Sequence, residues 1–409
     1  MIKYQINRRK PLTFNLVTII CSICCLFLIS TLTQALIPFP INQILGSLLL
    51  LALLIVQLIP KTTWNFILVI VYLTVPTFIT LAMTLDFSLA VIEVVRYISC
   101  FLLFFFIMRK DLLKEVKRYF KEYKKFVRAI VLLGNGILLF CFFQDACYSY
   151  QWGEERYFIG YTSFYHTMAS ACCLLIVIAM LHIQQHNVFK IYRVLYILIP
   201  TLAIFFTGAR TFLISLAILM IIFIRVNIKK QVFRQLSYLV AAIIGGYTFY
   251  SSSMFEKFAF AMDNQYVSNS MDSFTSGRND LWRVAINSFQ NDNLLFQLLG
   301  RGFTYSYSLN REMTGQYIWS HSDLFNILIC GGLLGIFVYS YTLIKVARNM
   351  VKITKKRYKA ILLMCYIIIP ALLNGFYEYQ HYVISALLLY IYLLIHSEKT
   401  TSNKLSNKL

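Results

Sequence analysis

Charge is scarce in this chain, and negative charge scarcer still. Only 13% of its 409 residues are Asp, Glu, Lys or Arg, and 17 acids face 38 bases. A water-facing globule needs roughly a quarter of its residues charged, so a soluble protein of two or three domains is excluded. Seven prolines and sixteen glycines exclude a fibrous or low-complexity chain. No Walker loop, His-Glu-x-x-His motif or paired-cysteine cluster occurs, which argues against an ATP-driven pump.

Apolar sequence is what the chain has in abundance: 59% hydrophobic residues and a mean hydropathy of +0.67. Twelve stretches approach the ~17–25 residues that a membrane-spanning helix needs. They lie near 12–36, 41–59, 64–83, 87–108, 129–147, 163–181, 194–207, 211–226, 235–253, 323–343, 360–374 and 382–396. The runs are continuous rather than alternating, so helices are expected and not a barrel. The expected fold is an all-α polytopic membrane protein, a single integral membrane domain over 1–409 with about twelve transmembrane helices.

Lysine and arginine set the orientation. With the amino terminus inside and spans alternating, the inner segments hold thirty of the 38 bases. The outer segments hold Arg156, Arg210, Lys257, Arg278, Arg283, Arg301 and Arg311, and Arg96 lies within a span. Both termini are therefore expected in the cytoplasm. The basic run from Arg109 to Arg128 reads as a topology anchor on anionic headgroups rather than a nucleic-acid patch. Arg8-Arg9-Lys10 precedes an apolar run too long for a cleaved signal, so an uncleaved first span is expected. Nine of the ten cysteines fall in expected spans, with Cys147 at a rim, and packing is their expected role.

Most connections are short. Residues 254–322 are expected to form one large extracytoplasmic loop between the ninth and tenth spans, and loops of that length tend to be functional. Within it Asp280–Leu299 reads as an amphipathic helix, with Trp282, Ile286 and Phe289 on one face. A smaller outer segment, 148–162, carries Arg156.

Three outer positions stand out. Thr207-Gly208-Ala209-Arg210-Thr211 forms a whole outward turn, and Arg210 breaks the positive-inside tendency where a short loop should obey it. The next helix starts there, so unpaired N–H groups and the helix dipole join a guanidinium in an anion site. Headgroup snorkelling is the plainer reading. Ser276-Gly277-Arg278-Asn279-Asp280 repeats the arrangement before the loop helix, or is simply a cap with a solvated arginine. His321-Ser322-Asp323 opens the tenth span, where His321 fits a general base with Asp323 orienting it or itself accepting a proton, or a structural rim histidine. Two further groups are noted. Glu93 and Arg96 can pair on one helix face within a span. Glu378 and His381, among tyrosines in the last outer turn, suit a sugar groove or an interfacial aromatic belt.

Taken in order, these segments resemble motifs of the O-antigen polymerase and O-antigen ligase superfamily. The resemblance rests on 207–211, on Ser276-Gly277-Arg278 with Trp282 and Gly300-Arg301-Gly302-Phe303, and on His321-Ser322-Asp323 with Gly331-Gly332-x-x-Gly335. It covers roughly 200–343. Arg156 with Gly160 is a fainter match, and Phe164-Tyr165-His166 stands where the family has an Asn-Pro-Asn-like stretch.

The resemblance implies a glycosyltransferase at the outer face of the bacterial cytoplasmic (inner) membrane, needing no nucleotide sugar, cofactor or metal. No Asp-x-Asp pair is present to hold one. Its implied substrate is an undecaprenyl-diphosphate-linked oligosaccharide, with Arg210 and Arg278 on the diphosphate and His321 on the acceptor hydroxyl. Arg156, Asp323, Arg301, Glu378 and His381 are the implied substrate-binding residues. Membrane lipids, a chain-length regulator and the repeat-unit flippase are the implied partners, and nucleic acid is not. His321-Ser-Asp-Leu-Phe favours a polymerase of O-antigen or capsular repeat units. A ligase that moves polymer to lipid A-core is the alternative, and a lipid-linked oligosaccharide flippase the alternative of another class.

Overall fold

The computed structural model describes residues 12–58, 64–84, 86–149, 156–186, 188–252, 255, 278–315 and 317–406. Arg8-Arg9-Lys10, Ser276, Gly277 and most of 254–277 lie outside the described residues, as do both chain termini. Continuous apolar runs form helices because a helix satisfies its own backbone within one segment. The first ten are α1 (Leu12–Leu32), α2 (Ile41–Leu58), α3 (Trp64–Met83), α4 (Phe87–Met108), α5 (Lys110–Glu122), α6 (Lys124–Cys141), α7 (Tyr165–Gln185), α8 (Lys190–Phe206), α9 (Arg210–Asn227) and α10 (Gln231–Tyr250). Then follow α11 (Arg278–Asn291), α12 (Leu294–Leu299), α13 (Tyr305–Thr314), α14 (Asp323–Thr354), α15 (Arg357–Leu373) and α16 (Gln380–Ser406). A short hairpin, β1 (Tyr148–Ser149) and β2 (Tyr157–Phe158), joins α6 to α7.

A helix coincides with each of the twelve apolar stretches. Among the described residues, six (α1, α2, α4, α7, α9 and α14) are long and apolar enough to cross a membrane. The architecture is that of a multi-pass membrane protein. α7 is apolar on every side and is buried along nearly its whole length, as such a helix must be. It packs on α16, itself buried from Gln380 to Ile395, and on α1, α6, α8 and α9. α10 buries none of its residues and packs chiefly along α9.

The two ends of the bundle differ chemically. At one end Arg109 donates to the Val56 carbonyl at 2.6 Å, and the His186 ring meets the Phe120 carbonyl at 3.1 Å. Arg225 lies 4.1 Å over the Tyr358 ring there. That end carries the basic segments, including α5, which buries Leu112, Val116, Tyr119 and Phe120 and leaves Lys114 and Lys121 exposed. At the opposite end α4, α7, α9, α14 and α16 all begin, and Arg210, His321 and Glu378 collect.

The loop helix expected over 280–299 is two helices. Asn291-Asp292-Asn293 interrupts it, and Asn293 caps α12 by accepting the Phe296 N–H at 3.1 Å. The buried stripe of α11 is Leu281 and Ala285, while Ile286 is exposed. The interruption lets α12 fold back along α14.

α14 is itself broken. Gly332 has φ 64° and ψ −166° inside it, which frees carbonyls that an unbroken helix would use. The Arg301 N–H donates to the Ile329 carbonyl at 3.0 Å and the Gly302 N–H to the Cys330 carbonyl at 2.9 Å. The Tyr72 hydroxyl takes the Gly331 carbonyl at 3.1 Å. A side chain at Gly332 would meet the Leu298 backbone at 2.5 Å, so only glycine permits this approach. The Gly-Arg-Gly and Gly-Gly-x-x-Gly segments are therefore two halves of one joint.

Candidate functional site

Arg210 is the first residue of α9, and Ala209 before it supplies no side-chain cap. The Thr207 hydroxyl instead accepts the Ala209 N–H at 3.2 Å, which shapes the turn. Arg210 lies within electrostatic reach of Arg278, Tyr165 and Tyr157. Residues 68 positions apart in sequence thus present two guanidinium groups together, each at the start of a helix. Helix starts attract anions through their unpaired N–H groups and dipoles.

Arg278 is held by the turn that follows α15. It donates to the Leu373 carbonyl and, at 3.2 Å, to Asn374 Oδ1. Neither acceptor carries negative charge. Burial pushes the guanidinium down from its ordinary value, and the nearby Tyr379 and Tyr165 partly offset this. A partly buried cation beside a second cation is costly unless an anion joins them.

His321 sits between Trp319 and the start of α14, with its backbone at φ 50°, a left-handed conformation uncommon outside glycine. The preceding Ser320 carbonyl accepts the Trp282 indole N–H at 3.0 Å, and Trp282 also stacks on Phe325. His321 is therefore tied to the helix that carries Arg278. Burial and the Arg278 charge push its imidazole down to about 3, while a hydrogen bond with Asn374 works the other way. Its Nδ1 is buried and has no partner among the described residues.

Asp323 is turned to a different task from orienting His321. Its carboxylate accepts the Phe376 N–H at 2.9 Å, the Tyr377 N–H at 3.3 Å and the Tyr339 hydroxyl at 2.9 Å. It is fully buried and fixes the 374–379 turn, from which Asn374 and Tyr379 reach Arg278.

That turn also borders a cavity of about 1010 Å³. α1, α2, α4, the start of α7 and the start of α16 wall it, with His321, Trp319, Arg96, Glu378, Tyr379 and His381 in its lining. Arg96 joins Glu93 on its own helix to Glu378 on the turn. The His381 ring is engaged with the Ser170 hydroxyl and stacks near Phe27. His321 and Tyr379 thus belong both to the cation cluster and to the cavity.

The remaining expected arginines each meet a carboxylate of this chain. Arg301 binds Asp292 through Nε at 2.8 and 3.0 Å and lies between the Phe296 and Tyr305 rings. Arg156 pairs with Asp145 at 2.5 Å and covers the Tyr148 ring at 4.4 Å. Sequence reasoning passed over Asn374, Trp319 and Tyr165. Asn374 had no signal beyond its place in an outer turn. Tyr165 did stand in the stretch that replaces the family's Asn-Pro-Asn-like segment. Among the described residues no group of three His, Cys, Asp or Glu gathers as a metal would need.

Nothing matches the chain among the curated proteins or among the solved structures. Residues 194–340 do match a family model, one described as O-antigen ligase. The matched stretch runs from α8 into α14 and holds Arg210, Arg278, Trp282, His321 and the glycine joint, so the likeness to that family falls on the candidate site.

Proposed function

We propose that the protein polymerises undecaprenyl-diphosphate-linked oligosaccharide repeat units, at the outer face of the bacterial cytoplasmic membrane, releasing undecaprenyl diphosphate. The observation that carries this reading is the convergence of Arg210, Arg278 and His321 from three segments at the end of the bundle opposite the basic one. Glycosyl transfer from a lipid diphosphate needs charge neutralised on the departing group, because the diphosphate is already a good leaving group. Two arginines at helix starts supply that, strongest as the charge develops. His321, neutral at ordinary pH, presents its unpartnered Nδ1 as a hydrogen-bond acceptor that can orient the acceptor sugar.

The family match supports O-antigen chemistry and is equally consistent with a ligase. The polymerase reading rests on the His321-Ser-Asp-Leu-Phe run. One experiment separates the two. Purified protein is given an undecaprenyl-diphosphate-linked repeat unit and the products are run on a gel. A ladder of longer glycans, lost in Arg278→Ala, establishes the polymerase. Transfer to added lipid A-core without a ladder makes it a ligase, and failure of both with an authentic repeat unit brings the flippase forward.

A further inference from the structure

Two carboxylates share one arginine where α4 meets the turn before α16. Arg96 Nη1 donates to Glu93 Oε1 at 2.8 Å and also to Glu378 Oε1. Glu93 is fully buried, and its Oε1 takes the Tyr307 hydroxyl at 3.2 Å as well. One guanidinium neutralises one carboxylate, so the cluster holds one negative charge, or one proton, in excess.

The second oxygens of both acids, Glu93 Oε2 and Glu378 Oε2, are buried with no hydrogen-bond partner among the described residues. Orphaned buried oxygens are rare and costly. The two acids differ in surroundings: Glu378 lines the cavity and Glu93 does not. Gln380, also in the lining, leaves its Nε2 unpartnered too. Two residues that border the cavity thus each keep one buried polar atom unsatisfied, a carboxylate oxygen wanting a donor and an amide nitrogen wanting an acceptor. A sugar supplies both through its hydroxyls, and Trp319 and Tyr379 offer flat faces to its C–H surfaces.

We propose that the cavity is the acceptor-sugar subsite and that Glu378 takes the proton from the acceptor hydroxyl as it attacks. This rests on the glycosyl-transfer reading above. The hydroxyl oxygen forms the new bond to the anomeric carbon, and the bond from that carbon to the diphosphate oxygen breaks. Its electron pair leaves with the lipid diphosphate. The hydroxyl proton passes to Glu378 Oε2 and then to water. Arg96 holds Glu378 through the other oxygen and leaves Oε2 for this step. His321, which also borders the cavity with its Nδ1 unpartnered, is the rival base, and the test below separates the two. The titratable groups facing Glu378 are Glu93, Arg96, Tyr307, Tyr377, Tyr379 and Asp323.

The test measures ladder synthesis by the purified full-length protein against substrate concentration and pH, for wild type, Glu378→Gln, Glu378→Asp and His321→Gln. Glu378→Gln keeps an acceptor for Arg96. It is expected to lower kcat roughly 10²–10⁴-fold, with KM changed by no more than about twofold. It is also expected to abolish the acid limb of the kcat profile, which His321→Gln should retain. An active Glu378→Gln with its acid limb intact overturns the proposal, as does loss of that limb in His321→Gln alone. If Glu378→Gln fails to fold, Glu378→Asp decides: a shifted limb supports the assignment and an unshifted one refutes it. A wild type that neither builds a ladder nor transfers to lipid A-core removes the glycosyl-transfer reading itself. That outcome is distinct from an active wild type with an active Glu378→Gln.

Discussion

The indole N–H of Trp282 donates to the Ser320 carbonyl at 3.0 Å, so the helix begun by Arg278 is fastened one residue before His321. The bond holds the cation and the imidazole in register across 43 residues of sequence. Trp282→Phe keeps an aromatic ring to stack on Phe325 and removes the donor. The net loss in stability is expected to be about 0.5–1.5 kcal/mol. The larger effect falls on geometry, with kcat reduced by up to about 10²-fold and KM nearly kept. An unchanged kcat in the ladder assay speaks against this fastening as a positioning device.

Arginine geometry is a separate matter. If Arg210 and Arg278 grip a diphosphate with planar forks, lysine cannot replace them, although it keeps the charge. Arg210→Lys and Arg278→Lys are each expected to lower kcat roughly 10²–10³-fold, by analogy with the loss of one preorganised oxyanion donor. The same exchange at Arg301 tests the contrast. Arg301 is occupied by Asp292, so Arg301→Lys is expected to lower thermal stability in detergent more than turnover. Full activity in both Arg210→Lys and Arg278→Lys removes the bidentate role.

Helices were the legible part of this chain because one lipid-length apolar run carries all the information a spanning helix needs. Arg210 and Arg278 were legible as exceptions, bases where the charge rule allows few. The joint between 300–302 and 329–332 was not, because nothing in Gly-Arg-Gly names its partner. Tertiary packing alone shows that the freed Ile329 and Cys330 carbonyls are its target. Adjacency in sequence suggests that Asp323 serves His321, but its hydrogen bonds lead elsewhere. In a helix start, side chains two residues apart diverge, and the carboxylate of Asp323 meets the backbone of a turn 53 residues on. Glu93 and Arg96 were readable as a pair, but their third member, Glu378, lies 282 residues from Arg96.

The glycine joint makes its own prediction. At Gly332 an added Cβ would meet the Leu298 backbone at 2.5 Å and the Gly300 nitrogen at 2.7 Å, neither of which can swing aside. Positive φ adds strain of about 1–3 kcal/mol before any clash. Gly332→Ala and Gly300→Ala are expected to unfold at markedly lower temperature in detergent, with activity falling alongside. Gly315→Ala is the control, since φ is 74° there but nothing lies within 4 Å. Its loss is expected to stay near the strain of about 1–2 kcal/mol alone. Equal losses at Gly315 and Gly332 refute the close approach.

His321 ties stability to pH. Its imidazole is held at about 3 in the folded protein, against an ordinary value near 6.5 in the unfolded chain. Between those values the unfolded chain binds a proton that the folded one refuses. Stability is therefore whole above about 6.5 and is lost as pH falls toward 3, at no more than about 1.4 kcal/mol per pH unit from this one site. Asparagine tolerates the left-handed backbone at this position, so His321→Asn removes the titration without adding strain. Thermal unfolding of both proteins in one detergent, at pH 7 and at pH 5, reads the difference. The other buried histidines are common to both and cancel. The wild type is expected to lose more of its unfolding temperature than His321→Asn on acidification. Equal losses would mean that His321 takes its proton in the folded state, and would return it to the role of base.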